Sequence, residues 1–386
     1  MSGPDLTEME TEAVLSVMRG QPLALGPRLR EFEERFSDYV GTRFAVGISS
    51  GTAGLHASVV AAGIGENDLV ITTPFSFVAS ANIMLYERAV PVFVDVREDT
   101  GCIDPALVAE AIDDMVRGGK AASRWLPPAM REQSGLRLRG VLPVDVFGQP
   151  ADFDPIMEAA NRHGLTVIED ACEAVGAAYK GRPAGTLGDI SVFGFYPNKQ
   201  ITTGEGGMVA TDREDWAALV RSLGNHGRDE TSSWLDHVRL GYNYRLDELS
   251  AALGVVQLSR IDEILHKRAR VAAWYSERLA GVEGIRLPEV HSDTTRMSWF
   301  VYVVRMEPPL QRDEVARTLA GRGVESRIYF PPIHLQPFYV DRYAYKPGDF
   351  PVTERLGATG LALPFSSVMT EDQVDYVCEI LAEALS

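Results

Sequence analysis

Short apolar runs alternate along this chain with longer segments of helical period, the pattern of a mainly parallel sheet whose strands are joined by helices. Phe44 to Ile48 predicts a strand, followed by Ser49-Ser50-Gly51-Thr52 and a helix from Ala53 to about Ala62. Leu69 to Thr72 and Pro91 to Val96 predict further strands, with a helix near Ser80 to Arg88 between them. Gly140 to Val146 and Leu165 to Glu169 are of buried-strand type, and Ile190 to Phe195 and Gly207 to Ala210 continue the series. The fold class this predicts is α/β.

From Arg245 onward the period changes. Leu246, Leu249, Ala252, Leu253, Val256, Leu258, Ile261 and Leu265 recur at helical spacing, and Asp247 stands at the N-cap position. No proline or glycine interrupts the run between Gly254 and Gly281, so one long helix joining two domains is expected. A chain of 386 residues suits two domains, here 1–245 and 246–386. In the second, Trp299 to Val304 predicts a strand, and Arg312 to Ala320 and Thr370 to Leu385 predict helices. Arg117 to Arg139 resists the scheme: it is basic, holds Pro127-Pro128 and shows no clear period, which predicts a solvated surface loop or an insertion.

Charge and cysteine usage narrow the partners. A formal net charge of −17 argues against nucleic acid, whose phosphates need a basic face, but leaves small anionic metabolites open. Cys102, Cys172 and Cys378 are scattered and form no disulfide framework, which predicts a reducing compartment. The first twenty residues hold Asp5, Glu8, Glu10 and Glu12 and lack the apolar centre of a signal peptide. No apolar run approaches the ~20 residues that span a bilayer. The expectation is a cytoplasmic protein without a membrane segment or a metal.

The segment from Val167 to Ala210 concentrates the chemistry. Asp170 lies just past a predicted buried strand, where ligands of open α/β sheets sit. A carboxylate there suits a pyridinium N–H, although a lone Asp is more commonly a solvated or capping residue. Glu169 beside it points the other way by alternation. Lys199 follows an aromatic strand and precedes Gly204-Glu205-Gly206-Gly207. A lysine in such a place is ordinarily a surface charge; desolvated near the ligand edge, it becomes a nucleophile. Ser50, Gly51 and Thr52 open a helix whose free amides suit a phosphate, though capping by Ser50 is equally compatible. Phe77, after the next strand, offers an aromatic face or simply packs in the core.

With these residues in view, the chain resembles the DegT/DnrJ/EryC1/StrS family of sugar aminotransferases, within the fold-type I pyridoxal-phosphate enzymes. The resemblance spans almost the whole chain. It runs through Ser50-Gly51-Thr52-Ala53, Pro91-Val92-Phe93-Val94-Asp95-Val96, Val144-Asp145-Val146-Phe147-Gly148-Gln149, Glu169-Asp170-Ala171 and Pro197-Asn198-Lys199. It continues in Thr202-Thr203-Gly204-Glu205-Gly206-Gly207, Asn225-His226-Gly227, Gly241-Tyr242-Asn243-Tyr244-Arg245 and Pro332-Ile333-His334-Leu335-Gln336-Pro337. It implies a fold-type I architecture with a smaller α/β C-terminal domain and pyridoxal 5'-phosphate as cofactor. Lys199 would hold the cofactor through its amine, and Asp170 would pair with the pyridine nitrogen. Gly51 and Thr52 would bind the phosphate beside Ser50, and Phe77 would stack on the ring. Glu173 and Gln149 would lie near ring and substrate. Asn243 would reach the cofactor phosphate of a neighbouring subunit, so that a homodimer shares its active sites. Tyr329 and His334 would approach the sugar or nucleotide, and Arg245 is a candidate for the donor carboxylate. Two positions depart from the common pattern: Gly194 stands where Ser is frequent, and Asp145 where His is frequent.

The implied reaction is a ping-pong transfer of an amino group, from L-glutamate as in the family, to a nucleotide-linked keto-sugar. The 202–207 run resembles members that aminate C4 more than those that aminate C3. Lys199 disfavours a sugar dehydratase, whose relatives carry His there. A cyclitol or other non-nucleotide ketone as acceptor stays open. A metabolite-sensing regulator of the same fold is disfavoured, since binding alone needs neither Lys199 nor Asp170.

Overall fold

Strands β1 (Phe44–Ile48), β2 (Asp68–Thr72), β3 (Val90–Phe93), β4 (Arg137–Leu142) and β5 (Thr166–Asp170) each lead from their C-terminal end into a loop or helix that returns the chain across the sheet. We describe them in a computed structural model that covers residues 3–20, 22–229, 233 and 236–385. After the short β6 (Ala178–Tyr179) and β7 (Arg182–Pro183), β8 (Ile190–Gly194) and β9 (Gly207–Thr211) complete a seven-stranded sheet in the order β1-β9-β8-β5-β4-β2-β3. β9 runs antiparallel to both its neighbours; the other pairings are parallel. The C-terminal ends of six strands therefore meet along one edge, and the loops after β1, β2, β4, β5 and β8 all leave from it. That edge is where an open α/β sheet receives its ligand.

The near-continuous apolar runs reflect burial on both faces: β2, β3, β8 and β9 are buried throughout. The larger core packs the sheet against the helices Gly51–Ala61, Ala79–Tyr86, Pro105–Arg117 and Phe153–Arg162. A second core gathers Phe32, Phe36, Leu246, Val255, Leu258 and Leu265. A separate core gathers Val271, Tyr275, Leu279, Tyr302, Leu319, Leu361 and Val377. Around it lies a three-stranded sheet of β10 (Ile285–Arg286), β12 (Tyr302–Met306) and β13 (Gly360–Leu363), order β10-β12-β13. β11 (Thr294–Arg296) joins β6 and β7 instead.

Two expectations need correction. The helix expected to run unbroken past Arg245 is two helices, Glu248–Ser259 and Ile261–Leu279, which meet at Arg260. Buried Arg260 donates to Asp5 Oδ1 at 2.7 Å and Glu10 Oε1 at 2.8 Å, so a tertiary ion cluster, not a helix breaker, marks the bend. Asp247 does cap the first helix, accepting from Ser250 N at 2.9 Å. The 117–139 stretch lies at the surface as expected, with only Leu126 and Pro127 buried, but it is not an irregular loop throughout. It contains the helix Gly119–Ser123 and a 3-10 turn, Pro128–Met130. Asp114 anchors it, accepting from Arg117 Nη1 at 2.9 Å and Trp125 Nε1 at 3.0 Å, and Leu126 is buried. It leads into the start of β4, the end of the sheet away from the ligand edge. Among the described residues no helix is long and apolar enough to cross a membrane.

Candidate active site

Asp170 closes β5 and is buried. Its Oδ2 accepts from Ser80 Oγ at 2.6 Å and its Oδ1 from Cys172 N at 3.1 Å. Ser80 Oγ lies 2.8 Å from Ser76 Oγ, so two hydroxyls from the segment after β2 back the carboxylate. Glu169 faces away, accepting from the amides of Gly185, Leu187 and Gly188 at 2.6, 3.0 and 3.2 Å. Strand alternation thus separates an acid that serves the site from one that braces the 185–188 turn.

Lys199 reaches the same cleft from the turn after β8. Its Nζ is 3.4 Å from Glu173 Oε1 and 4.0 Å from the centre of the Phe300 ring. Glu173 also feels the charge of Asp170, so lysine, glutamate and aspartate form one electrostatic group. Burial pushes the Glu173 carboxyl above its ordinary range, against the opposing pull of Lys199 and of the Phe147 amide. That amide donates to Glu173 Oε2 at 2.9 Å, from a residue held at φ 61°.

The turn after β1 opens a helix at the same edge. Ser50 caps the helix, accepting from Ala53 N at 3.1 Å, so the amides of Gly51 and Thr52 remain the unpaired first turn. A Cβ on Gly207 would stand 2.7–2.8 Å from Ser50 and Gly51 backbone atoms, and one on Gly51 would stand 2.7 Å from Cys172 Sγ. These glycines nest the turn against β9 and the Asp170 loop. Phe77, 61% exposed, projects next to Ser76 as an uncovered aromatic face.

A model of the DegT/DnrJ/EryC1/StrS aminotransferase family matches residues 4–382. The chain belongs to that family. It is 38% identical to a GDP-perosamine synthase of Caulobacter vibrioides over 389 residues, covering 100% of this chain and 98% of that one. It is 35% identical to a dTDP-3-amino-3,4,6-trideoxy-alpha-D-glucose transaminase of Streptomyces venezuelae, covering 97% and 92%. The crystal structure of S. venezuelae DesV in complex with a ketimine intermediate superposes with a TM-score of 0.85 at 34% identity, covering 97% and 93%.

This aminotransferase is a pyridoxal-phosphate enzyme, and its residues fit the cofactor. Asp170 keeps acceptor capacity beyond its two bonds, Lys199 presents an amine, Phe77 is uncovered, and the Gly51 and Thr52 amides are free of helical partners. Asn243 is exposed, between Tyr242 and Tyr244, whose rings stack 4.9 Å apart. Tyr329 joins the site edge, 6.3 Å from Phe147 and 6.1 Å from Phe300 between ring centres.

Other expected site residues are engaged elsewhere. Gln149, expected near the substrate, is buried, with Nε2 donating to Glu289 O at 3.3 Å and Oε1 accepting from His291 N at 2.6 Å. It ties the ligand-edge loop to the C-terminal segment. His334, expected to approach the sugar, is fully buried, with Nε2 3.0 Å from Glu354 Oε1 and its ring against Phe350. Arg245 donates to Asn225 Oδ1 at 3.0 Å. Ser76, Ser80, Phe147 and Phe300 escaped the sequence reading. The i, i+4 serines at a helix start after a strand were a usable signal; Phe300 had none, arriving a hundred residues after Lys199.

Proposed function

We propose that this aminotransferase transfers an amino group from L-glutamate to a nucleotide-linked keto-sugar, at C4, as a homodimer whose subunits share their active sites. The observation that carries the reading is the grouping of Lys199, Glu173 and Asp170 at the ligand edge of the sheet. Two relatives whose names specify GDP- and dTDP-linked chemistry support the nucleotide. The 202–207 run supports C4, and the exposed Asn243 supports a shared site.

The bound cofactor supplies an electron sink for the carbon whose proton is moved. Asp170 holds the ring nitrogen in its protonated form, with its own charge steadied by Ser80 and the Cys172 amide. The Gly51 and Thr52 amides fix the phosphate at the positive end of their helix. The Lys199 amine, released when the donor binds, takes a proton from the donor carbon and later delivers one to the sugar carbon. Glu173 lies beside that amine and helps hold it in reach of both positions. Phe300 walls the amine from water, and Tyr329 lines the sugar's approach.

The test is turnover of a panel of UDP-, dTDP- and GDP-linked keto-sugars with glutamate, with the products assigned by NMR. Amination at C4 of one such sugar is expected. Turnover only with a cyclitol or another ketone free of nucleotide would refute the acceptor assignment.

A further inference from the structure

The loop after β4 carries a buried acid that the reaction does not use. Asp145 has no exposed surface, and its backbone is tied to β5: Asp145 N donates to Asp170 O and Asp170 N donates to Pro143 O, both at 3.0 Å. Its Oδ1 accepts from Ala151 N at 3.0 Å. Its Oδ2, equally buried, has no hydrogen-bond partner among the described residues. Glu169, also fully buried, faces it. Asp170 and the Cys102 thiol are the other titratable groups whose fields it meets.

Asp145 and Glu169 thus face each other under the ligand edge, with Asp170 on the opposite face of β5. Full ionisation of both facing groups in a dry interior would be strongly unfavourable, and facing carboxyls resolve this by sharing a proton. Hydrogen bonds decide where the proton sits. Glu169 accepts three amide N–H bonds, which oppose the upward push of its burial and favour its anion over that of Asp145. Asp145 has a single amide bond and an oxygen with no donor.

We propose that Asp145 is a protonated partner of Glu169: its Oδ2 carries a proton donated to Glu169, so the facing pair holds one negative charge and adds no second one to the field at Asp170. Burial and the field of Glu169 both raise the Asp145 carboxyl well above its usual range, in keeping with a retained proton. The consequence for the cofactor rests on Asp170 as the pyridine partner. The proton itself does not, and is read on cofactor-free protein.

A spectroscopic measurement tests this. Infrared spectroscopy of cofactor-free protein labelled with carbon-13 at the aspartate carboxyl should show a protonated aspartic-acid carbonyl band at neutral pH. The band should vanish in Asp145→Asn. Absence of the band in the wild type, or its persistence in Asp145→Asn, would overturn the proposal. Should a variant fail to fold, the labelled wild-type spectrum still decides. A wrong acceptor assignment would leave that spectrum unchanged.

Discussion

Ser80 Oγ lies 2.6 Å from Asp170 Oδ2, and both side chains are buried. The bond joins the helix after β2 to the end of β5, two neighbours of β4 on opposite sides. Ser80 thereby supplies a hydrogen-bond donor to the carboxylate that we propose as the partner of the ring nitrogen.

Ser80→Ala should therefore weaken cofactor binding without disturbing the fold. A hydrogen bond to a charged group contributes roughly 1.5–3 kcal/mol, and the cofactor dissociation constant, followed by absorbance titration, should rise by about tenfold or more. Ser80→Thr, which keeps the hydroxyl, should restore most of the loss. Equal affinity of the Ala variant and the wild type would remove Ser80 from the site.

Lys199→Ala should abolish turnover. In the proposed mechanism the amine contributes both the covalent hold on the cofactor and the proton transfer, and the second alone is worth about 10²–10⁴-fold. Borohydride treatment should fix the cofactor on the wild type and not on the variant, as mass spectrometry of the intact chain would show. Turnover surviving in the variant would reassign the chemistry.

His334 gives a pH dependence of definite sign. Burial lowers its folded-state pKa below the ordinary 6.5, despite Glu354 at 3.0 Å. The unfolded chain then binds the extra proton more readily. Its stabilising contribution is present above 6.5 and is lost as pH falls through that value towards the folded-state pKa. Urea midpoints for the wild type should drop on acidification through this window, while His334→Gln should show a shallower drop. Parallel slopes for the two proteins would refute the assignment.

What was legible in the sequence follows from the range of the interactions. Phe44–Ile48 emerged as predicted because strand burial and the Ser50 cap are local. Asp170 stood out because it ends a strand, and Lys199 because it sits in the turn that follows one, and strand ends converge on one edge. The bend at Arg260 was invisible, since its cause, Asp5 and Glu10, lies some 250 residues away in sequence. His334 and Gln149 sat in motifs of the right order, yet their partners, Glu354 and the 289–294 backbone, turn them from the open cleft. Motif order identifies which segments meet; only packing tells which way each side chain faces.

Gly207→Ala tests the nesting of the phosphate turn. A methyl at 207 would stand 2.7–2.8 Å from Ser50 and Gly51 backbone atoms, closer than packed carbons tolerate. Since the neighbours are main chain and not flexible side-chain ends, relief requires the turn itself to shift. Overpacking of this kind costs typically about 1–3 kcal/mol, so the melting temperature should fall even without cofactor. The displaced Gly51 and Thr52 amides should also hold phosphate less well. Affinity for pyridoxal phosphate should therefore drop more than affinity for pyridoxal, which lacks the phosphate. A variant that loses stability but binds both compounds with an unchanged ratio would show that the turn packs against β9 without presenting the anion site.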